Sequence, residues 1–365
     1  MASGSNTMRF DYNTQHRDSF ALLRHADQRI AYGLLVAALL VLPWVVSKFF
    51  VGELTYVFIL CIASLGLMVL TGYTGQVSLG HAAFLAVGAY AHAWMLSQGV
   101  PLLVSLPLSG LLCAAFGVAL GVPAIRVSGL YLAMVTLAFS VIATHVIGHW
   151  ASVTGGFTGL AVSEPRIAGV ALGGPKAFYF LCLTLLVLVL LGLLNLLRSG
   201  LGRAFLGVRD SEAAAYSLGI PVSRVKVTAF ALSAGVTGLS GALFAHHTKY
   251  LTPDAFTLIL SMELVLMVVI GGLGSLRGAL LGAVLISLLP TLISRIKPLL
   301  PDHLAKQFGL ETFIFGLILA LFVLFEPTGI NGRWLKLRAL VETFPLYRRD
   351  TFKRSKRYMK SERYK

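Results

Sequence analysis

The sequence predicts an all-α polytopic membrane protein of about ten transmembrane helices, and three observations carry that prediction. The chain of 365 residues is 57% hydrophobic and only 12% charged, about half the charge of a soluble domain. Its mean hydropathy is +0.82. Apolar runs of roughly 20 residues, the length that spans a bilayer as a helix, recur from end to end. A β-barrel would need short alternating segments, which the sequence lacks. The formal charge of +15 does not indicate nucleic-acid binding, because most of the excess lies in one C-terminal tail.

Residues 1–29 are polar and mixed in charge, and read as a cytoplasmic N-terminal segment. Ile30–Phe50 is the first expected span. It is longer than a signal-peptide core, and no A-x-A site follows it. Further spans are expected at 54–71, 82–98, 101–124, 129–150, 177–198, 226–248, 258–275, 278–296 and 309–326. Together they form a transmembrane domain over 30–327, with a basic cytoplasmic tail over 328–365. With the N-terminus inside, 23 of the 30 Lys and Arg fall on the cytoplasmic side; without the distal tail the ratio is 11 to seven. That bias supports the orientation. Trp44, Trp94, Trp150 and Trp334 fall near span ends, as interfacial anchors do. Cys61, Cys113 and Cys182 lie inside apolar runs without metal-ligand spacing, and read as buried inert thiols.

Between two of these spans, in a loop over 199–222, stands a polar, helix-capable stretch, GRAFLGVRDSEAAAYSLGI (Gly202–Ile220). Ala204, Val208, Ser211, Ala215 and Leu218 recur at spacings of three and four, so one short amphipathic helix is expected. Gly219 and Pro221 mark its end. Such a helix either lies in the headgroups or is gripped by a soluble partner.

Two glycine-rich stretches interrupt the helical pattern: LTGYTGQVSLGHAAF, with Gly72, Gly75 and Gly80, and IGGLGSLRGALLG, with Gly271, Gly272, Gly274, Gly278 and Gly282. Paired breaks of this kind either flank a transport site or make tight hairpins and small-residue packing faces. Helix ends exposed there offer donors and acceptors to a transported solute, which makes Ser78, Gly80 and His81 candidate pathway residues. Glu263, about one and a half turns into its span, is either a proton-relay candidate or a paired acid. His81, His92, His145, His149, His246 and His247 show no metal-site spacing; packing or interface roles are expected, with His246 and His247 pointing apart. The turn-rich TGGFTGL (Thr154–Leu160) either touches a delivered solute or docking protein or merely connects. The basic tail, with Tyr347, Phe352, Tyr358 and Tyr364, either binds anionic lipid or anchors topology.

The chain has no phosphate-binding G-x-x-x-x-G-K-[ST], no G-x-S-x-G and no H-E-x-x-H, and no soluble stretch long enough for a nucleotide-binding domain. It is expected to be no enzyme, to carry no cofactor or metal, and to draw on an ion gradient or another polypeptide for energy.

The stretch Gly202–Ile220 resembles the cytoplasmic E-A-A loop of bacterial ABC importer permeases. In particular it is similar to the branched-chain amino acid permease family of the LivM type. Tyr73–Leu96, Ser128–Ser140, TGGFTGL and VIGGLGSLRGALLGA (Val269–Ala283) match that family's blocks in the same order, over about residues 35–327. One departure stands out. The general pattern places Gly four residues after the second Ala; Gly219 fits that count only from Ala215, which puts Glu212 one place early.

The resemblance implies a transport subunit in the bacterial inner membrane with both termini cytoplasmic. Its partners would be a second related permease, two cytoplasmic ATPase subunits that bind ATP and Mg, a periplasmic binding protein that delivers Leu, Ile or Val, and membrane lipid. The stretch would be the coupling helix, with Arg203, Arg209, Asp210, Glu212, Ala214, Ala215 and Gly219 as its contact residues. Related permeases carry urea or short amides, which is one alternative. An ion-coupled secondary transporter using Glu263 is the other.

Overall fold

The structure is a computed structural model that describes residues 26–167, 170–171, 173–296, 310–325 and 329–343. Most of the polar N-terminal segment, and the basic tail beyond residue 343, lie outside these. Ten apolar helices stand close to the expected spans: α1 (Ala26–Val45), α2 (Lys48–Leu67), α3 (His81–Ser97), α4 (Leu102–Ala124), α5 (Leu130–His149), α7 (Pro175–Arg198), α10 (Val222–Thr248), α11 (Leu258–Gly271), α12 (Leu276–Ile296) and a last helix at Leu310–Phe325. Among the described residues three short α-helices lie between them: α6 (Ala151–Thr154), α8 (Gly200–Asp210) and α9 (Glu212–Ser217). Among the described residues seven helical segments are long and apolar enough to cross a membrane, while the apolar stretches Tyr32–Val45 and Phe313–Phe322 are shorter. The count of ten is therefore approximate.

The first span ends earlier than expected. The helix stops at Val45, and Lys48–Phe50 already belong to α2. Pro43, inside α1, has no N–H to give the Leu39 carbonyl one turn back. The Tyr179 hydroxyl of α7 donates to that carbonyl instead, at 2.9 Å, so the freed acceptor is satisfied where water is absent.

The bundle is organised on α10, which packs against α4, α3 and α2. Lipid is as apolar as a leucine side chain, so burial alone does not hold such helices together; close backbone approach does. Gly235, Gly238 and Gly241 recur every third residue along α10 and face small residues of α3 and α4. A Cβ on Gly238 would run into Cys113, one on Gly117 into the Phe230 carbonyl oxygen, and one on Gly241 into that of Leu85. Gly88 likewise lies against Gly238. All three cysteines are buried.

At the far end of α10, two short strands close the bundle. Leu160–Ala161 pairs antiparallel with Tyr250–Leu251, in the register Leu160↔Leu251 and Ala161↔Tyr250. TGGFTGL thus forms an ordered cap, with Gly155, Gly156 and Gly159 at positive φ. At the opposite end, the helix Gly329–Thr343 begins against the α11–α12 turn, where Gly329 meets Gly272.

Candidate coupling and translocation site

The stretch expected to form one helix forms two. Ser199 caps α8, its hydroxyl accepting from the Leu201 N–H at 3.2 Å. Gly202 allows α8 to turn against the last turn of α7, where a side chain would strike the Leu197 carbonyl. Gly202, Phe205 and Val208, three residues apart, are the buried face of α8. At Ser211 the backbone turns extended (φ −164°, ψ 115°), and the side chain accepts from the Ala214 N–H. An N-cap serine whose oxygen satisfies an orphan donor favours a new helix start over continuation. The apolar spacing runs through this break unchanged, so periodicity alone does not reveal it. α9 then ends on Gly219 (φ 80°). There the Ile220 N–H reaches the Ala215 carbonyl and the Gly219 N–H that of Tyr216, the paired closure that a left-handed residue permits.

The predicted contact residues separate by direction. Ala214 and Gly219 face outward, and beside them stand two residues outside the predicted set, Tyr216, 76% exposed, and Leu218, 81% exposed. Ala215 does not join them, being 2% exposed and packed inward. Glu212 is half-exposed, and its Oε1 pairs with the Lys226 ammonium of α10 at 2.6 Å, where the Lys226 side chain is almost fully buried. An ammonium in that position requires its counter-charge. Arg203 donates to the Arg198 carbonyl at 3.3 Å, capping the end of α7. Arg209 Nη1 donates to the Gly72 carbonyl at 3.0 Å, while Nε and Nη2 both reach Asp210 Oδ1 at 3.2 Å.

Gly72 and Gly75 of the first glycine break and Gly274 of the second lie beside Arg209, at the end of the bundle that carries α8. The second is a tight hairpin: Gly271 and Gly278 touch through their backbones, and Gly282 backs onto the Met267 carbonyl. The first is not a hairpin turn. α2 widens into a π-helix over Met68–Tyr73, a form common at functional positions, and the chain then runs irregularly to α3.

Ser78 and Gly80 sit in that irregular stretch, His81 is the first residue of α3, and all three are buried. Ser78 Oγ lies 2.9 Å from His81 Nδ1, and His81 Nε2 lies 2.7 Å from Ser233 Oγ of α10. Gly80 backs onto the Thr136 carbonyl of α5. The Leu79 N–H donates to Thr136 Oγ1 and the Ala82 N–H to Ser261 Oγ of α11, both at 3.0 Å. His81 is a satisfied core histidine that ties the start of α3 to its neighbours. Thr136, Ser233 and Ser261 are its unpredicted companions; single hydroxyls in apolar helices carry no sequence mark that singles them out.

Glu263 stands apart, half-buried on α11. Tyr56 of α2 is within electrostatic reach of both Glu263 and Glu53, and stacks on His247 of α10 with ring centroids 5.4 Å apart. Glu53 accepts from Thr291 Oγ1 at 3.1 Å. Glu53 is absent from the sequence-derived candidates because the second span is drawn from residue 54, one position too late. His246 points away from His247, and its Nε2 lies 2.9 Å from that of His92.

Ten apolar helices, two glycine breaks and a capped helical pair outside them describe a transport scaffold, and comparison with known proteins decides which. Residues 49–325 match the family described as branched-chain amino acid transport system / permease component. The chain belongs to that family. Among relatives, this permease is 33% identical over 327 residues to the high-affinity branched-chain amino acid transport system permease protein LivM of Escherichia coli K12, covering 81% of this chain and 74% of the relative. The LivM protein of Salmonella typhimurium is 34% identical with the same coverage. A probable branched-chain amino acid transport permease protein LivH of Methanocaldococcus jannaschii is 26% identical, over 80% of this chain and 95% of its own. No solved structure matches the permease. It is thus a multi-pass membrane protein of the permease type, and neither a urea or amide permease nor an ion-coupled carrier is favoured by these relatives.

Proposed function

We propose that this permease translocates Leu, Ile and Val across the bacterial cytoplasmic membrane as one subunit of an ATP-driven importer. On this proposal α8 and α9 lie in the cytoplasm, as do both termini. Two ATPase subunits, holding ATP and Mg, take α9 as their grip; a second, homologous permease completes the pathway; and a periplasmic binding protein delivers the solute at the opposite end, where TGGFTGL and the strand Tyr250–Leu251 meet.

The observation that carries this proposal is the outward face of α9. A tyrosine 76% exposed and a leucine 81% exposed, on a rigidly capped helix beside the ends of the spans, form a small apolar knob. Exposed aromatic and aliphatic anchors of that kind seat in a partner's pocket. The permease breaks no covalent bond. ATP-driven movement of the ATPases would displace α8 and α9 and, through them, α7 and α10, which switches the bundle as rigid bodies. A zwitterion on the pathway needs acceptors for its ammonium, and the half-buried Glu263 with Glu53 is the candidate. Ser78, Gly80 and His81, being satisfied internally, serve the scaffold of the pathway.

The test is uptake of radiolabelled leucine by proteoliposomes holding the permease, its companion permease and the ATPases, with the binding protein added. Uptake should require hydrolysable nucleotide and the binding protein. Leucine uptake that persists without nucleotide under an ion gradient would overturn the proposal.

A further inference from the structure

If the coupling segment passes a displacement to the spans, some side chain must join it to the helix ends it moves; this step rests on the importer proposal above. We propose that Arg209 is that joint, a latch tying α8 at once to the end of α2 and to the α11–α12 turn.

Four features of the geometry support it. First, the Gly72 carbonyl is left open by the local backbone. In a regular helix it would accept from the Gln76 N–H, but that N–H donates to the Leu70 carbonyl instead, at 3.1 Å. Arg209 Nη1 takes the vacated acceptor at 3.0 Å. A cation on terminal carbonyls is the favourable sign at the negative end of a helix.

Second, the guanidinium is held in place. Nε and Nη2 share Asp210 Oδ1 at 3.2 Å, so the planar fork is fixed by its neighbour while Nη1 points inward. Asp210 is the positioning residue. A lysine would keep the charge and lose the fork.

Third, two glycines border this side chain and leave it room. A Cβ on Gly75 would press on Arg209 Cγ at 3.1 Å, and one on Gly274 on Arg209 Nη1 at 2.9 Å. Gly75 and Gly274 also hold φ of 70° and 82°, which other residues resist. A Cβ on Gly72 would in turn meet the Gly274 N at 2.9 Å, so the two breaks touch each other beside the guanidinium.

Fourth, the latch is placed to act on both breaks together. Gly72 ends α2 just before the stretch leading to α3, and Gly274 lies in the turn joining α11 to α12. Pulling α8 outward breaks the charge-assisted hydrogen bond to Gly72 at the end of α2 and withdraws the guanidinium from its place against Gly274 in the α11–α12 turn.

The experiment uses the full complex in proteoliposomes with Arg209→Ala, Arg209→Lys and Asp210→Asn. ATPase copurification and ATP hydrolysis are measured for each variant, so that transport is read per nucleotide consumed. The ratio of leucine imported to ATP hydrolysed should fall at least tenfold in R209A, with R209K and D210N intermediate. An unchanged ratio in R209A would overturn the latch. So would loss of the ATPases from both R209A and R209K, which would make Arg209 a docking or folding residue. Hydrogen exchange separates this from the importer proposal. Whether or not the wild-type complex transports, R209A should raise amide exchange at least tenfold in both 70–80 and 270–278. Unchanged protection in either segment would sink the latch, whereas a wild-type complex that does not import leucine counts only against the importer proposal.

Discussion

The seam between α10 and its neighbours α3 and α4 and the corner formed by α8 and α9 belong to one chain but follow the physics of two solvents. In the seam, glycines bring backbones into contact, and few polar ties are needed. Lipid gives apolar surfaces no reason to prefer each other, so close contact carries the seam, with His81–Ser233 and His92–His246 as polar ties between α3 and α10. In the corner, every element is held by a polar device: Ser199 and Ser211 cap, Gly219 closes, Glu212 neutralises Lys226, and Arg209 reaches Gly72. Short helices at a water interface have too little apolar face to persist unaided. Stability in the seam thus depends on what is absent from side chains, and in the corner on what is present.

Substitutions sharpen this contrast. The largest effect is expected in the seam. Gly241→Val or Gly88→Val places methyl groups on backbone atoms that cannot retreat, at a cost above about 3 kcal/mol. Size-exclusion profiles of the detergent-solubilised chain should show no monodisperse peak; a normal profile would refute backbone contact there. Next comes the outward face of α9. Tyr216→Glu combined with Leu218→Glu should leave the chain folded yet reduce copurified ATPase at least tenfold, about 1.4 kcal/mol or more of binding. Full retention would separate this face from the partner.

A smaller effect is expected at the ion pair. Glu212→Gln strands a buried ammonium and should cost on the order of 2 kcal/mol, read as a lower thermal midpoint. The double change E212Q with Lys226→Met should recover most of the loss, because replacing both partners removes the stranded charge. If the double variant is less stable than E212Q alone, the pair is not an isolated unit. The smallest is Ser211→Ala, which removes a cap worth about 1 kcal/mol and should loosen α9 without disturbing the seam. Exchange at 212–217 should rise while exchange in α10 stays constant.

The spans are legible in the sequence because twenty apolar residues in a row permit few other structures. Gly219 is legible as a helix end for the same kind of reason, since only a glycine readily turns left-handed there. The division at Ser211 is hidden by small residues that keep their spacing across it. Glu212 and Ala215 lie in a stretch whose family resemblance points outward, yet Lys226, eleven residues beyond Ala215 in another helix, decides where Glu212 goes. The seam residues Gly235, Gly238 and Gly241 carry a visible every-third-residue rhythm, and Gly110, Gly117 and Gly121 recur at spacings of seven and four, which keep to one helix face. That rhythm reads as general helix packing until a partner face is known. His81 lies in the opposite case: its position beside a glycine break suggests a pathway, and only the hydroxyls of Ser78 and Ser233 show that its nitrogens are already occupied.

One residue, Ser199, separates α7 from α8, and one residue, Ser211, separates α8 from α9. A train of rods joined by single links has no backlash. On the importer proposal, travel imposed on α9 passes through these single links to α7, so inserting two or three flexible residues at either link should cost stroke length before it costs stability.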